Sequence, residues 1–283
     1  MMEHGQSVYE VRNVSKSFQV RGGLPWKEAR PSVVALNNVS LRIEAGEILG
    51  LAGESGSGKT TLAEILAGLQ TPTSGSVSFR GIDLGAMDKQ EWKRLRREVQ
   101  MVFQDPYESL NPRHTVLRTV SEPLHNAGVR TGPEVAALVD EALAHAGLRP
   151  PSVFLSSYPH QLSGGQRQRV SIARAIVLKP KVLIADEPVS MLDVSLRASI
   201  LSLLRGLRDT MALTIVYISH DLNTVGFLCD RIAVLHRGDL KEIGTAEAVF
   251  TSPSDPYTRQ LLEARPTLAI GSSERGSGAP IPG

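Results

Sequence analysis

The chain has 283 residues, 41% of them hydrophobic, so it is long enough to bury a sizeable core and is neither disordered nor fibrous. Its 31 basic and 29 acidic residues give a formal net charge of +2, too balanced to indicate nucleic acid or anionic lipid as the main partner. The only cysteine, Cys229, excludes an intrachain disulfide and favours a reducing compartment. With no signal-peptide pattern and no apolar run of about 18 residues, we expect the chain to be soluble by itself.

The first seventy residues predict strands and turns, followed by a strand, a glycine-rich loop and a helix. Val8 to Val11 and Val39 to Ile43 alternate as strands do, while the glycines and prolines of Arg21 to Ser32 predict an exposed surface loop. Ile48 to Ala52 is a short apolar run, and helical spacing follows at Leu62, Ile65, Leu66 and Leu69.

The middle of the chain changes character. Apolar residues recur at helical spacing from Val135 to Ala146, which predicts a helical subdomain inserted in an α/β domain. Runs typical of strands resume at Val182 to Ala185, Leu213 to Ile218 and Arg231 to Leu235, as expected for a mostly parallel, wound sheet. Gly271 to Gly283 is expected to be a mobile tail.

Residues 53 to 60 fit the phosphate-loop pattern G-x-x-x-x-G-K-[ST] and lie between an apolar strand and a helix, where such a loop belongs. In such a loop the backbone N–H groups and the N-terminus of the following helix bind phosphate. Lys59 can neutralise the oxygens of the β- and γ-phosphates of a nucleotide, and the Thr60 hydroxyl can ligate Mg²⁺. The predicted nucleotide-binding residues here are Gly53, Glu54, Ser55, Gly56, Ser57, Gly58, Lys59, Thr60 and the adjoining Thr61.

A pair of acidic residues closes the apolar run that begins at Val182. Asp186 is placed to hold Mg²⁺, directly or through water. Glu187, one residue further, is the candidate base or water-polarising group for attack on a γ-phosphate.

A second phosphate-binding pattern lies about twenty residues upstream of the acidic pair. Ser163, Gly164, Gly165 and Gln166 open a helix predicted to run from Arg167 towards Leu178, and such a helix start binds phosphate. One nucleotide needs only one such site, so the two patterns require an explanation. Together they resemble the nucleotide-binding subunits of ABC transporters.

The resemblance implies roles for further residues and a fold. In that family the signature loop, here residues 163 to 166, reaches across a dimer onto the nucleotide of the partner chain. Gln104 matches the family's glutamine that senses Mg²⁺ and the attacking water. Asp193 matches the aspartate in the loop that links the two sites, and His220 matches the switch histidine that contacts the γ-phosphate. Phe18 is predicted to stack on adenine, with Tyr9 as the alternative. The implied fold is an α/β P-loop NTPase (RecA-like) core with an N-terminal antiparallel β subdomain and an inserted helical subdomain.

Three stretches resemble the ATPases of dipeptide, oligopeptide and nickel importers: residues 101–113, the insert at 21–32, and residues 253–262. This implies a second ATPase chain, a sister chain or a second copy, two transmembrane permease subunits docked near Asp105 to Asn111, an extracytoplasmic substrate-binding protein, and a peripheral location on the cytoplasmic face of the cell membrane. We assign residues 1–252 to the ATPase domain, with the helical subdomain at roughly 106–165, and residues 253–283 to a C-terminal extension and tail. ATP and Mg²⁺ are the expected cofactors, and peptide is the expected cargo.

Other classes stay open. The basic run Lys89 to Arg97 suits a soluble ABC ATPase acting on nucleic acid or ribosomes, but Glu91 and Glu98 favour a solvated helix face, so we expect no nucleic-acid partner. A small-molecule kinase has no use for residues 163 to 166. An exporter, or an importer of another solute such as nickel, would carry the same ATPase motifs.

Overall fold

The computed structural model describes residues 7–19, 32–105 and 109–264. The insert expected at Arg21 to Ser32, apart from Ser32, and the tail expected at Gly271 to Gly283 lie outside these residues. The strands are β1 Ser7–Gln19, β2 Ser32–Glu44, β3 Ile48–Ala52, β4 Ser74–Phe79, β5 Ile82–Asp83, β6 Val99–Val102, β7 Val182–Asp186, β8 Thr214–Ser219, β9 Arg231–His236 and β10 Asp239–Thr245. The helices are α1 Lys59–Leu66, α2 Lys89–Glu98, α3 Val116–Asn126, α4 Gly132–His145, α5 Gly164–Ile176, α6 Val194–Met211, α7 Leu222–Leu228, α8 Ala246–Thr251 and α9 Pro256–Glu263.

A six-stranded sheet in the order β10-β9-β3-β8-β7-β6 forms the centre of the molecule. Its strands are parallel except for β10, which pairs antiparallel with β9 at one edge. Every residue of β3, β7 and β8 is buried, since helices or a second sheet cover both faces. Strands that are buried on both faces have continuous runs of apolar residues, so these three strands could be predicted from the sequence.

A four-stranded antiparallel sheet, in the order β2-β1-β4-β5, packs over α1 on one face of the central sheet. The alternating burial of β1 and β2 turns one side of this sheet towards α1 and the other towards solvent. The expected N-terminal antiparallel subdomain is therefore present. Its contacts with α1 and the central sheet help to position the loop that precedes α1.

Helices α3, α4 and α5 pack together on the opposite side, within the second part of the hydrophobic core. The predicted apolar spacing corresponds to α4, and two short 3₁₀ turns, Pro151–Val153 and Pro159–Gln161, lead the chain towards α5. Across the described part of the chain, no helix has both the length and the apolar character needed to span a membrane.

Several element ends differ from the sequence prediction by one to three residues. Helix α5 starts at Gly164, three residues before the predicted Arg167, because Ser163 caps it by accepting a hydrogen bond from the Gln166 amide at 3.2 Å. Helix α1 ends at Leu66, so Leu69 lies beyond it and is 58% exposed. Strand β9 corresponds to the predicted run Arg231 to Leu235, whereas β10, β4 and β5 had no counterpart among the predicted elements.

Candidate active site

A cleft of about 840 Å³ opens at the carboxyl ends of β3 and β8. This is the edge where open parallel sheets bind ligands. Its lining residues include nearly the whole phosphate loop and the three predicted catalytic residues. They are Phe18, Val33, Val34, Ala35, Gly53, Glu54, Ser55, Gly56, Gly58, Lys59, Thr60, Thr61, Gln104, Glu187, His220 and Leu261.

The phosphate loop depends on glycine where the backbone approaches its neighbours. Gly53 and Gly58 have φ angles of 143° and 105°, and a Cβ at either position would collide with a backbone carbonyl oxygen, that of Leu235 or Ala35 respectively. A loop held this tightly, leading into the N-terminus of α1, turns its backbone N–H groups towards the cleft as phosphate binding requires.

The Lys59 side chain lies within the cradle formed by this loop and is only 5% exposed. Its Nζ donates hydrogen bonds to the carbonyl oxygens of Gly53 and Glu54, each at 2.7 Å. Burial lowers the pKa of Lys59, against the opposing charges of Glu187, Asp186 and Glu54. The ammonium thus stands at the centre of the loop, where it can neutralise a phosphate.

Thr60 and Asp186 supply oxygen atoms suited to a hard divalent cation. The Thr60 Oγ1 lies 3.5 Å from the Asp186 Oδ1, and both residues stand beside the loop. Burial raises the pKa of Asp186, and the Thr60 hydroxyl opposes this rise. No group of three or more His, Cys, Asp or Glu residues within the described ranges is arranged to hold a metal. A cation here would therefore need hydroxyl, amide or phosphate oxygens as well, a donor set that Mg²⁺ accepts.

Glu187 is held at both carboxylate oxygens. The Gln104 Nε2 donates to Oε2 at 3.0 Å, and the His220 Nδ1 lies 2.9 Å from Oε1. Gln104 follows β6 and His220 follows β8, so two strands on either side of β7 fix the orientation of a residue that follows β7. The structure thus brings all three predicted catalytic residues together.

The Glu187 backbone lies in the left-handed region, with φ of 45°, which costs a non-glycine residue about 1 kcal/mol. Its amide donates to the Ile218 carbonyl at 3.0 Å, and its own carbonyl accepts from the Ser190 hydroxyl at 3.0 Å. These bonds on both sides hold a conformation that directs the carboxylate towards the phosphate loop.

The signature residues 163 to 166 are not among the lining residues of the cleft. They form the N-terminus of α5, where the Ser163 amide donates back to the Gln166 side chain at 2.9 Å. Asp193 likewise caps α6, and the hydrogen bond from the Leu196 amide lowers its pKa. The two phosphate-binding patterns of the sequence are therefore separate features of one chain.

Of the two candidates for the adenine contact, only Phe18 is available. Phe18 lines the cleft and is 38% exposed, and the Lys16 Nζ lies 5.0 Å from the centre of its ring. The alternative, Tyr9, was wrong: it is fully buried beneath α1, where its hydroxyl donates to the Leu66 carbonyl at 2.8 Å.

Sequence reasoning missed four apolar residues of the cleft, Val33, Val34, Ala35 and Leu261. Val33 pairs with Phe18 across the β1 and β2 ladder, and Val34 follows it, so the pairing of these two strands was the signal that would have found them. Leu261 comes from α9, more than 40 residues beyond His220, and nothing in its local sequence marks it.

The phosphate loop, the paired acidic residues at the end of β7, and a glutamine and a histidine from the flanking strands define a P-loop nucleotide hydrolase. A sequence profile described as ABC transporter matches residues 36–190. The chain belongs to the ABC transporter family.

Relatives identify the same branch that the sequence motifs indicated. A putative peptide import ATP-binding protein of Brucella ovis is 42% identical over 257 residues, which cover 91% of this chain and 78% of that protein. The oligopeptide transport ATP-binding protein AppF of Bacillus subtilis is 40% identical over 272 residues, 95% of this chain and 82% of that protein. The resemblance to the peptide-importer ATPases is confirmed.

Solved structures support the fold assignment. A dimeric post-hydrolysis state of the ATP-binding cassette MJ0796, bound to ADP and Pi, has a TM-score of 0.71 and 33% identity, covering 84% of this chain and 98% of that one. The cbiO1 protein of Clostridium perfringens has a TM-score of 0.74 and 28% identity, covering 87% of this chain and 92% of that one. The expected P-loop NTPase fold is confirmed, and the chain is an ATP-hydrolysing subunit of an ABC transporter.

Proposed function

We propose that the cleft binds ATP with Mg²⁺ and that Glu187 directs a water molecule onto the γ-phosphate. The observation that carries the proposal is the position of Glu187, held by Gln104 and His220 in the same cleft as Lys59. A carboxylate fixed at both oxygens loses little further freedom when it accepts a proton from water.

The remaining cleft residues bind and orient the nucleotide. Lys59 would exchange its hydrogen bonds to the Gly53 and Glu54 carbonyls for the β and γ oxygens. Mg²⁺, held by Thr60, Asp186 and Gln104, would neutralise charge on the phosphate oxygens. Phe18 would contact the base, because it is the exposed aromatic residue of the cleft.

The signature residues would act on the nucleotide of a second ATPase chain. Residues 163 to 166 form the N-terminal start of helix α5, a position that favours phosphate, yet they line no part of this chain's cleft. In a face-to-face pair, each nucleotide would lie between the phosphate loop of one chain and Ser163 to Gln166 of the other. Hydrolysis would then separate the two chains.

We further propose that this motion drives peptide import through two permease subunits at the cytoplasmic face of the membrane, supplied by an extracytoplasmic binding protein. The proposal is supported by relatives named peptide import and oligopeptide transport ATP-binding proteins. Residues 1–252 would form the ATPase domain, and residues 253–283 an extension of it. The permeases would contact the region of Asp105 to Asn111.

The substitution Glu187→Gln tests the catalytic role. It preserves the side-chain shape but removes the charge, so ATP hydrolysis should fall by roughly 10² to 10⁴ while ATP still binds. Glu141→Gln is the matched control, since it removes a surface carboxylate that pairs with Lys179 and His145 and does not line the cleft. Turnover is measured by phosphate release and binding by calorimetry. Near-normal turnover by the Glu187→Gln chain would contradict the role assigned here.

Transport is tested with the same variant. Mass spectrometry of what co-purifies with tagged Glu187→Gln, from gently solubilised membranes with ATP and Mg²⁺, should recover two permeases and a second ATPase. The recovered complex, rebuilt with wild-type chains in vesicles, should take up peptides in an ATP-dependent manner. Recovery of ribosomes or DNA-repair factors without membrane proteins would overturn the transport proposal.

A further inference from the structure

Helix α9, in the C-terminal extension, lies against the phosphate loop. Leu261 lines the nucleotide cleft, and Tyr257, one helical turn earlier, is on the same face of α9. The Tyr257 ring stacks on His236, with ring centres 3.8 Å apart and planes inclined by 12°. The side chains of Tyr257 and Leu261 pack against the core cluster that includes residues of α7 and α8.

The end of β9 that carries His236 is itself in contact with the phosphate loop. The Leu235 carbonyl lies so close to Gly53 that a side chain there would not fit, and the Gly238 amide donates to the Ser57 carbonyl at 3.1 Å. A residue stacked on His236 therefore rests on the part of the sheet that supports the loop.

Tyr257 also approaches the loop directly. Burial raises the pKa of its hydroxyl, and contact with the Glu54 backbone opposes that rise. The contact falls short of a full hydrogen bond. Only a donor lowers the pKa of a phenol, so the contact is with the Glu54 N–H. The carbonyl of the same peptide group, that of Gly53, accepts from the Lys59 Nζ at 2.7 Å. Tyr257 thus adjoins a peptide group that helps to position the phosphate-binding lysine.

The position of α9 is fixed at its N-terminus. The Glu242 carboxylate accepts from the Ser254 amide at 2.8 Å, the Ser254 hydroxyl at 2.9 Å and the Asp255 amide at 3.2 Å. Asp255 in turn caps the helix by accepting from the Tyr257 amide at 2.8 Å. These bonds tie α9 to β10, so Tyr257 and Leu261 are held against the loop.

We propose that α9 is a structural part of the nucleotide site: Tyr257 and Leu261 position the first half of the phosphate loop, Gly53 to Ser57, and thereby set nucleotide affinity. This inference rests on the proposed binding of nucleotide in the cleft. By reciprocity, a nucleotide bound to the loop should stabilise α9.

The first test compares ATP binding by full-length Leu261→Ala, Tyr257→Phe and the control Leu262→Ala. Leu262 packs against the same core from the same helix but does not line the cleft. The Kd for ATP should rise roughly three- to tenfold in Leu261→Ala, as expected for the partial loss of one apolar contact. It should stay near the wild-type value in Tyr257→Phe, which keeps the ring on His236 and removes only a hydroxyl without a full hydrogen bond. It should change less in Leu262→Ala than in Leu261→Ala. The kcat at saturating ATP should stay near the wild-type value, because Glu187, Gln104 and His220 are untouched.

The second test measures hydrogen exchange of α9 in the wild-type chain with and without ADP. ADP is chosen because a triphosphate would also bring two chains together. Exchange across 256–263 should slow when ADP binds, whereas α4, far from the cleft, should not change.

Failure of this inference is distinct from failure of the proposed function. A wild-type chain that binds no nucleotide would overturn the function itself. A different result would overturn only the role of α9. In that result the wild-type chain binds ATP, the Kd values of Leu261→Ala and Leu262→Ala both equal the wild-type value, and ADP does not alter hydrogen exchange in α9.

Discussion

Two glycines of the phosphate loop differ in what surrounds them, although both have positive φ. Gly56, with φ of 77°, has no heavy atom within 4 Å of the position a Cβ would take. Gly58, with φ of 105°, has the Ala35 carbonyl and the Leu36 side chain in the way. A side chain at either position would incur the free-energy cost of a left-handed backbone. Only at Gly58 would the side chain also collide with neighbouring atoms.

This contrast makes a prediction about stability. Gly56→Ala should lower the free energy of unfolding by about 1 kcal/mol, the usual cost of forcing alanine into the left-handed region. Gly58→Ala should lower it by roughly 2–4 kcal/mol, because the Ala35 strand must also move. Urea unfolding of the two variants measures both values. Equal losses would mean that the loop relaxes away from β2 at no cost.

Single-residue roles were the most predictable part of the site, and the reason is chemical. Lys59, Thr60, Asp186 and Glu187 occur in patterns that few other functions require, and the structure places them within one cleft or beside it. Phe18 and Tyr9 show where a pattern stops being informative. Both are aromatic residues of β1, and only the packing of α1 decides which one is buried.

At the scale of elements, the attachment of α9 depends on one ionised carboxylate. Burial opposes ionisation of Glu242, but hydrogen bonds from Ser254, Thr258 and Asp255 outweigh it and hold the pKa below the ordinary value of a glutamate. A lowered pKa in the folded state stabilises the fold above the unfolded pKa of about 4.3, and this stabilisation is lost as the pH falls through the folded pKa.

Glu242→Gln should therefore be less stable than the wild type at pH 7, by less than about 1 kcal/mol because the carboxylate is only partly buried and solvent screens its interactions. The difference should shrink as the pH falls below about 4, where the wild-type carboxyl is protonated as well. Glu263→Gln, at the exposed end of the same helix, is the control. Urea midpoints at pH 7 and pH 3.5 provide the measurement, and a gap that widened at pH 3.5 would contradict this account of Glu242.

Elements were predictable where their burial was uniform and less so where it depended on distant partners. The fully buried strands β3, β7 and β8 matched apolar runs to within one residue at either end. Strand β10 is half-buried along most of its length and carries mixed polarity, because it lies at the sheet edge beside α8 and α9. Such a strand has no period of its own to detect, so β10 was not predicted. The stretch that contains α9 was noted only because residues 253–262 resemble the tail of the importer ATPases, and no helix was predicted there.

For the whole molecule, the main fact is that two helix starts with phosphate-binding sequence patterns occur on one chain and only one of them faces the cleft. The start of α1 carries Lys59 and Thr60, and the start of α5 carries the signature residues without a nearby Lys or acidic pair. Resemblance to a family supplied the explanation, because no single-chain pattern specifies a contact between two chains. The proposed sandwich makes each site depend on residues from both partners.

The substitution Gly164→Asp should disable the signature residues of a chain while leaving its phosphate loop intact. A Cβ at Gly164 would meet only the Leu192 side chain at 3.8 Å, an ordinary contact, so the fold should tolerate the substitution. The added carboxylate at the N-terminus of α5 should repel a nucleotide held by the partner, and hydrolysis should be lost. Gly164→Ala fills the same space without charge and should keep most activity.

Mixing this variant with Lys59→Ala tests the sandwich for two copies of the chain. Lys59→Ala should be inactive alone because its loop no longer binds ATP, but its signature residues are intact. A mixed pair would combine the intact loop of the Gly164→Asp chain with the intact signature of the Lys59→Ala chain, giving one complete site. Random pairing makes half of the dimers mixed, so about a quarter of the wild-type number of complete sites should return. ATPase assays of each chain alone and of the mixture measure this, and a folded but inactive mixture would contradict pairing of two copies and leave a sister ATPase as the partner.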